Sequence, residues 1–342
     1  MVVYHHYMQI FYNFESKTLI GSIVSTRGSF GVDLFFILSG LVMYLVAKNT
    51  GTTATSFFVK RVTRVIPAYW FYTSILIVLL FLYPEELWLT SFNGETLIKS
   101  YFLVPSQNPS GIGIFPVLTV GWTLILEMVF YTILAISIGL SKKHSILICS
   151  FIVVFLSLSF PEGNIYSTVL GGSQICQFLF GFAIGFYFKS DGFQKINRLF
   201  SSYMQALVLL SVCLILLSGV LGFGLVQKTI AASCIVLSCL VLDSKISYSS
   251  WIAKFLIKSG DYSYSIYLSH VLVLGFLLHL AGNDFNIFQE VGILLTLTVI
   301  IHYVSSFSYK YIENGSFSRF LKRIFIHNNT VKNMKVNVVN KW

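Results

Sequence analysis

Charged residues are scarce in this sequence of 342 residues: Asp, Glu, Lys and Arg together make up only 11% of the chain. Soluble globular proteins carry about 25% charged residues. Hydrophobic residues make up 56%, and they gather in runs of about 20 residues that could each cross a bilayer. The composition therefore predicts an all-α, polytopic membrane protein and argues against a large soluble domain with an apolar core.

The sequence also lacks the usual patterns of cysteine and nucleophile chemistry. None of the five cysteines has CxxC or zinc-ligand spacing, and all lie inside apolar runs, namely Cys149, Cys176, Cys213, Cys234 and Cys239. We interpret them as small buried hydrophobic residues rather than disulfides or metal ligands, and we expect no metal site. There is no GxSxG elbow, P-loop or HExxH motif, so those hydrolase, nucleotide-binding and zinc-protease classes are not indicated.

What the sequence does contain is about ten apolar runs, which we predict to be helices. They lie at 1–13, 30–47, 66–83, 116–140, 145–160, 173–188, 204–221, 226–242, 262–282 and 288–307. Nearly all have the length of a transmembrane helix, but the run at 1–13 is too short to cross. We expect that this first helix is truncated at its N-terminus. The connection 84–115 is rich in proline and glycine, so we predict a surface loop there.

Basic residues set the orientation of the predicted spans. Only four of the 23 Lys and Arg residues fall in one alternating set of connections, namely Lys17, Arg27, Lys99 and Lys228. The other nineteen fall in the second set and in the C-terminal tail. By the positive-inside rule, both termini are cytoplasmic and the protein is a multi-pass protein of the cytoplasmic (inner) membrane. The net charge of +10 then reflects the orientation of the spans, with basic residues next to anionic lipid headgroups, and does not indicate nucleic-acid binding.

Two segments follow from these patterns. Residues 1–322 form one integral-membrane domain, and residues 323–342 form a cytoplasmic tail that is rich in Asn and Lys. A polar tail of this composition cannot bury enough apolar surface to fold, so we expect it to be disordered.

Ionisable groups inside spans are costly, so each is a candidate functional residue. Glu127 is the most informative, because it lies deep in an apolar run with no basic residue within a turn. It needs either a proton or a partner from another helix. One interpretation is an acid/base pair with a histidine of the first helix; the other is a protonated glutamate that only holds helices together.

Histidines and arginines supply the other candidates. His5 and His6 are adjacent in the first run, so their side chains project about 100° apart and only one can face a given site. Each can be structural or catalytic. Arg61 and Arg64 share a helical face before Pro67, which we expect to mark the turn into the third span. They either anchor the helix by the positive-inside rule or hold phosphates at the cytoplasmic surface.

Five segments in order resemble the acyltransferase 3 family of integral-membrane enzymes, which acylate sugars and other acceptors. The segments are MVVYHHY (1–7), GVDLFFILSGLVMY (31–44), FFVKRVTRVIPAYW (57–70), PVLTVGWTLILEMVFY (116–131) and GDYSYSIYLSH (260–270). Each motif alone is weak, but five in the right order with ten spans are specific. Two positions depart from the family's pattern: its Ser after the tryptophan is Thr123, and its frequent second acid after Glu127 is Met128.

The resemblance implies transfer of an acyl group, usually acetyl, from cytoplasmic acyl-CoA (acetyl-CoA) to a hydroxyl of a polysaccharide or lipid-linked glycan. It implies His5 as the catalytic histidine, Glu127 as a site carboxylate, and Arg61 and Arg64 as coenzyme A contacts. Asp33 in GVDLFF and Trp122 in GWTLILE become substrate or structural residues. The family's arginine eleven positions before the histidine would lie before Met1.

Other functions stay open on the sequence alone. A transporter or flippase for a lipid-linked glycan would have similar spans but would need no coenzyme A. A degenerate, inactive relative is also compatible with the short first helix. Within the acyltransferase hypothesis, direct transfer and an acyl-histidine relay are both compatible with His5.

Overall fold

Most of the chain is helical in the part that the computed structural model describes, which is residues 1–15, 19–83, 90–159, 165–170, 173–281, 287–316 and 318–320. The helices are α1 Val2–Tyr12, α2 Leu19–Arg27, α3 Phe30–Lys48, α4 Ala54–Leu82, α5 Gly94–Tyr101, α6 Trp122–Leu140, α7 Ser145–Ser159, α8 Ile165–Leu170, α9 Gln177–Phe188, α10 Asp191–Leu199, α11 Ser202–Ser218, α12 Leu225–Leu242, α13 Trp251–Asp261, α14 Ser263–Ala281 and α15 Ile287–Ser308. Over these residues there is no β-strand, only an isolated bridge between Gln107 and Ile114. The predicted all-α class is confirmed.

Several of these helices are long and apolar enough to cross a membrane. Five qualify by length and composition, namely α3, α4, Thr119–Leu140, α12 and Gln289–Phe320. A sixth is formed if α10 and α11, which meet at 105°, count as one broken span. Shorter apolar helices occur at Ser145–Ser159, Gln174–Phe188 and Ser263–Leu278. The chain is therefore a multi-pass membrane protein, while the number of ten spans and the cytoplasmic termini stay predictions.

Each of the ten apolar runs contains a helix, but two helix starts differ clearly from expectation and five helices lie outside the runs, namely α2, α5, α8, α10 and α13. α4 begins at Ala54 instead of at residue 66, and a 3-10 turn at Thr119–Gly121 precedes α6. α2 was not predicted, because its serines and threonine interrupt the apolar pattern. The predicted surface loop 84–115 contains the short helix α5. The predicted tail 323–342 lies outside the described residues.

The chain divides into two compact units. Unit 1 comprises residues 1–51 and 140–257, and unit 2 comprises residues 52–139 and 258–342. The core of unit 1 is built from α3, α9, α11 and α12, whose buried residues are Phe30, Ile37, Leu41, Ile184, Cys213, Ala231, Ala232, Cys234 and Val236. Cys213 and Cys234 are free thiols inside this core, and Cys149 is also buried, as predicted. The prediction was wrong for Cys239, which is exposed, and Cys176 is only half-buried.

Two glycines explain how α3 and α9 cross so closely in unit 1. A Cβ atom on Gly40 would overlap the backbone of Phe178, and one on Gly181 would overlap the backbone of Ile37. Small residues at a crossing let two helix backbones approach, which is the usual route to tight packing where lipid supplies no hydrophobic drive. Gly40 belongs to the GVDLFFILSG segment, so part of that motif serves packing.

Unit 2 contains a proline inside α4, where the sequence predicted a turn. α4 continues unbroken through Pro67 to Leu82. Proline has no N–H, so the carbonyl four residues earlier, on Thr63, loses its helical partner. Ser318 donates its hydroxyl to that carbonyl at 3.1 Å and is itself fully buried. The turn prediction was therefore wrong, because a residue 255 positions away satisfies the freed carbonyl.

Replacing Ser318 by alanine should lower the free energy of unfolding by ~1–3 kcal/mol, because the buried Thr63 carbonyl would lose its donor. Equilibrium unfolding of the purified protein in mixed detergent micelles measures this. Ser316→Ala is the matched control, since Ser316 is exposed. Equal stability of the Ser318→Ala variant and the wild type would show that the bond contributes nothing.

Candidate active site

The arginine pair lies in the first three turns of α4, and the start of this helix is fixed locally. Thr53 caps it: its hydroxyl accepts a hydrogen bond from the Ser56 amide at 3.2 Å, and the Ser56 hydroxyl accepts one from the Thr53 amide at 3.2 Å. This reciprocal capping box explains why α4 begins well before the apolar run. The arginines are thereby held on a rigid helix and not on a loop.

The two guanidinium groups differ in exposure. Arg61 is half-buried, with its Cζ 5.9 Å from the centre of the Phe57 ring, and its buried Nε has no hydrogen-bond partner among the described residues. Arg64 is exposed. Neither makes an ion pair within the described part of the chain. Unpaired guanidinium groups with unused N–H donors suit an oxyanion ligand such as phosphate.

Glu127 lies in α6, in the second turn after the helix begins at Trp122. Its side chain is only 5% exposed, and its carboxylate accepts a hydrogen bond from the hydroxyl of Tyr131, one turn further along the same helix. The Tyr131 ring in turn packs edge-on against Phe57, with ring centres 6.1 Å apart. A chain of contacts therefore runs from Arg61 to Phe57 of α4, from Phe57 to Tyr131 of α6, and from Tyr131 to the Glu127 carboxylate.

Two tyrosines of α14 complete the surroundings of Glu127. Tyr264 donates its hydroxyl to the carbonyl of Val65 in α4 at 2.7 Å, and it lies within electrostatic reach of Glu127 and Arg64. Tyr267 donates to the carbonyl of Val120 at 2.8 Å and also lies within reach of Glu127. Unit 2 therefore gathers a cation, a buried carboxylate and phenol hydroxyls around one set of helices.

Polar positions next to Glu127 fit the same arrangement. Thr123, which stands where the family pattern described above has serine, is buried, and its hydroxyl lies 2.9 Å from that of Tyr267. The replacement keeps the hydroxyl that this contact needs. Trp122 is half-buried at the first position of α6.

A second buried carboxylate, Glu313, was missed by sequence reasoning. It ends the π-helical turn Tyr309–Glu313, is 6% exposed and accepts a hydrogen bond from Ser265 of α14. Ser265 also donates to Ser308 at 2.9 Å. In the sequence Glu313 follows Lys310 beyond the last apolar run, so it looked like a charge of the tail. No pattern in the sequence signals its burial, which depends on the π-helical turn and on Ser265 of another helix.

His5 lies in α1 of unit 1. It is half-buried, and its ring centre is 5.0 Å from that of Phe14 and 5.6 Å from that of His6. His6 has its Nδ1 atom 2.8 Å from the side-chain oxygen of Gln9 on the same helix. The two rings point to different surroundings, as adjacent positions on a helix require. His6 is therefore engaged by its own helix, while the His5 ring packs against aromatic rings.

Asp33 forms a buried polar network in unit 1. Its carboxylate, in the first turn of α3, accepts a hydrogen bond from the Gln177 amide of α9 at 2.6 Å. The same amide nitrogen donates to the Thr229 hydroxyl of α12 at 3.0 Å. Asp33 is 6% exposed and Gln177 is 1% exposed. The network joins three helices through hydrogen bonds that no motif spacing could predict.

The site residues thus fall into two groups. Arg61, Arg64, Trp122 and Glu127 belong to unit 2, and His5 and Asp33 belong to unit 1. The roles assigned to them stay predictions. No cluster of three His, Cys, Asp or Glu side chains in the described ranges could hold a metal ion.

Comparison with known proteins identifies the family. A family model of the acyltransferase domain, acyltransferase 3, matches residues 1–307 of the chain. The chain is also 29% identical over 257 residues to the exopolysaccharide production protein ExoZ of Rhizobium meliloti, an alignment that covers 73% of this chain and 77% of that protein. No solved structure matches the chain. Since the family model covers nearly all helices of both units, the chain belongs to the acyltransferase 3 family of membrane acyltransferases.

Proposed function

We propose that this membrane acyltransferase moves an acetyl group from cytoplasmic acetyl-CoA to a hydroxyl of a cell-surface polysaccharide, such as O-antigen, capsule or exopolysaccharide. The observation that carries the proposal is the family match over residues 1–307. The similarity to a protein named for exopolysaccharide production supports a polysaccharide or lipid-linked glycan acceptor. Arg61 and Arg64 of α4 make no ion pair with any described residue, which supports a donor that carries phosphates, as coenzyme A does.

The proposed donor site is the N-terminal part of α4. Coenzyme A docks from the cytoplasm with its phosphates on Arg61 and Arg64, and its pantetheine arm extends between the helices. The exposed guanidinium of Arg64 suits a phosphate at the surface, while the half-buried Arg61 suits one that enters further. Arginine forks bind phosphate in a bidentate manner, which fixes orientation as well as charge.

In the proposed reaction His5 is the general base. Its imidazole takes the proton of the acceptor hydroxyl, and the oxygen attacks the thioester carbonyl carbon. The carbon–sulfur bond then breaks, and the thiolate of coenzyme A takes the proton back from the imidazolium. Glu127 stabilises the positive charge that the imidazole gains during this cycle. In the alternative relay, an imidazole nitrogen attacks the thioester carbon, the carbon–sulfur bond breaks, and the thiolate takes the proton of the other ring nitrogen. The acceptor hydroxyl then attacks the acetyl group, the acetyl–nitrogen bond breaks, and the hydroxyl proton passes to the imidazole.

The full-length protein in lipid nanodiscs, incubated with radiolabelled acetyl-CoA, tests the function. We expect slow release of free coenzyme A that depends on the protein, and transfer of label to glycan from the producing strain. Label retained on the protein without acceptor would indicate the relay. If the protein neither releases coenzyme A nor labels glycan, the proposed enzyme function is wrong, and a transporter, which needs no coenzyme A, becomes the better hypothesis.

Replacing Arg64 by glutamine should raise the KM for acetyl-CoA by about tenfold or more, because a charge-assisted hydrogen bond to phosphate is lost. The KM of Arg64→Lys should lie between those of Arg64→Gln and the wild type, since lysine keeps the positive charge but cannot bind phosphate in a bidentate manner. Steady-state kinetics over a range of acetyl-CoA concentrations measure this. Lys60→Gln, an exposed neighbour on the same helix, is the control and should keep the wild-type KM. An unchanged KM in Arg64→Gln would remove Arg64 from the donor site.

A further inference from the structure

Two of the four basic residues predicted to face the outside meet at one aromatic ring in unit 1. The guanidinium carbon of Arg27, at the end of α2, lies 3.8 Å from the ring centre of Phe223. The ammonium of Lys228, in the first turn of α12, lies 4.8 Å from the same ring centre. Basic residues are rare on this face, so their convergence calls for a specific explanation.

The guanidinium of Arg27 is held in place by the end of α11. Its Nη2 atom lies 3.5 Å from the carbonyl oxygen of Ser218, the last residue of that helix. Gly219 follows with φ +84°, and a Cβ atom there would overlap the same guanidinium. The glycine therefore provides both the left-handed turn and the space for Arg27. One of the five N–H donors of the arginine is used in this way, which leaves the others for a ligand.

Within the described residues, no ion pair neutralises the positive charge of this cluster. Neither Arg27 nor Lys228 lies within 4 Å of a carboxylate in the described part of the chain. The carboxylate in electrostatic reach of Lys228 is that of Asp33, which is buried and hydrogen-bonded to Gln177. α12 adds the positive end of its dipole, since its N-cap Gly224 makes no side-chain capping bond. Two cations and a helix N-terminus thus outweigh one buried carboxylate.

We propose that Arg27, Phe223 and Lys228 form a binding site for an anionic group, a carboxylate or phosphate, carried by the acceptor glycan on the outer face of unit 1. The two cations supply the charge and the arginine fork, and the Phe223 ring holds both cations beside each other through cation–π contacts. This inference rests on the proposed function, because it makes an acidic glycan the preferred acceptor. The same anionic chemistry could be supplied by a lipid headgroup, so the test separates the two sources.

The test measures binding of glucuronate and of glucose to the full-length protein in nanodiscs of neutral phosphatidylcholine, by saturation-transfer difference NMR at constant ionic strength. We expect the wild type to bind glucuronate about tenfold more tightly than glucose, as a charge-assisted hydrogen bond predicts. The double variant Arg27→Gln/Lys228→Gln should lose this preference and keep the weak affinity for glucose. Inorganic phosphate should compete with glucuronate in the wild type alone.

Several controls keep the result interpretable. Lys228→Gln alone should weaken glucuronate binding several-fold without affecting the contact of Arg27 with α11, so it guards against misfolding of the double variant. Lys99→Gln removes another charge of the same predicted face, one that is paired with Glu95, and should bind as the wild type does. A double variant that keeps the full preference for glucuronate would overturn the proposal. Displacement of glucuronate by phosphatidylglycerol in the nanodisc would overturn the assignment to the glycan and indicate a lipid site.

Binding and catalysis are read separately, so the two proposals can fail independently. His5→Ala should bind glucuronate as the wild type does, since His5 is not part of this cluster. If the protein binds glucuronate through Arg27 and Lys228 but transfers no acetyl group, the anion site stands and the enzymatic proposal fails. If it transfers acetyl groups and the double variant keeps the wild-type preference for acidic over neutral glycans, the anion site fails alone.

Discussion

Replacing His5 by alanine should lower acetyl transfer by about 10²–10⁴-fold, the usual contribution of a positioned general base. The half-buried ring packs against Phe14, so we expect its removal to leave the helix intact while it takes away the general base of the proposed mechanism. The measurement is the rate of label transfer from acetyl-CoA to glycan by the purified variant. Insertion is checked by the amount of protein recovered from the membrane fraction.

His6→Ala is the matched control for this prediction, because His6 is adjacent in the sequence but is bonded to Gln9 of its own helix. We expect it to change the rate only slightly, through loss of that hydrogen bond. A comparable loss of activity in the two variants would mean that α1 does not tolerate a shortened side chain at either position. His5→Gln, which keeps the size of the side chain, would then show whether His5 contributes packing or proton transfer. A His5→Ala variant with wild-type activity would remove His5 from the mechanism.

The sequence was sufficient to predict the helices that are long and apolar. A long apolar run inserted in lipid must satisfy its backbone hydrogen bonds within the segment, so it forms a helix whichever helix it packs against. α2 shows the limit of this logic, because a helix with an uneven polar pattern depends on its neighbours. Pro67 shows the same limit. Proline does free the carbonyl of Thr63, but Ser318, near the other end of the chain, donates a hydrogen bond to it, and α4 continues.

The same distinction separates the parts of the candidate site. Glu127 could be recognised because an acid in the middle of an apolar run is costly wherever it lies. Arg61 and Arg64 could be recognised from their spacing on one helical face. The partners could not, since the contacts of Tyr264 and Tyr267 with α4 and with the turn before α6 span 144 residues or more. Glu313 was missed because its burial depends on a π-helical turn and on Ser265 of another helix.

Replacing Glu127 by glutamine should lower acetyl transfer by about 10²-fold or more, although the shape of the side chain is almost conserved. Glutamine can still accept the hydrogen bond of Tyr131, so packing within α6 should survive. What is lost is the negative charge, which in the proposed mechanism stabilises the imidazolium formed on His5. The maximal rate should fall far more than the affinity for acetyl-CoA, and steady-state kinetics separate the two.

Glu95→Gln provides the control, because Glu95 lies in α5 and is exposed, and its hydrogen bond to Lys99 holds the pKa of that carboxyl below its ordinary value. It removes a negative charge outside the spans and should leave the rate unchanged. The double variant His5→Ala/Glu127→Gln then tests whether the two residues act as one unit. If they do, the double variant is about as slow as His5→Ala alone, since a charge that stabilises an imidazolium has no further effect once the imidazole is gone. Multiplication of the two losses would instead show that Glu127 acts independently of His5, as a structural carboxylate or on another group.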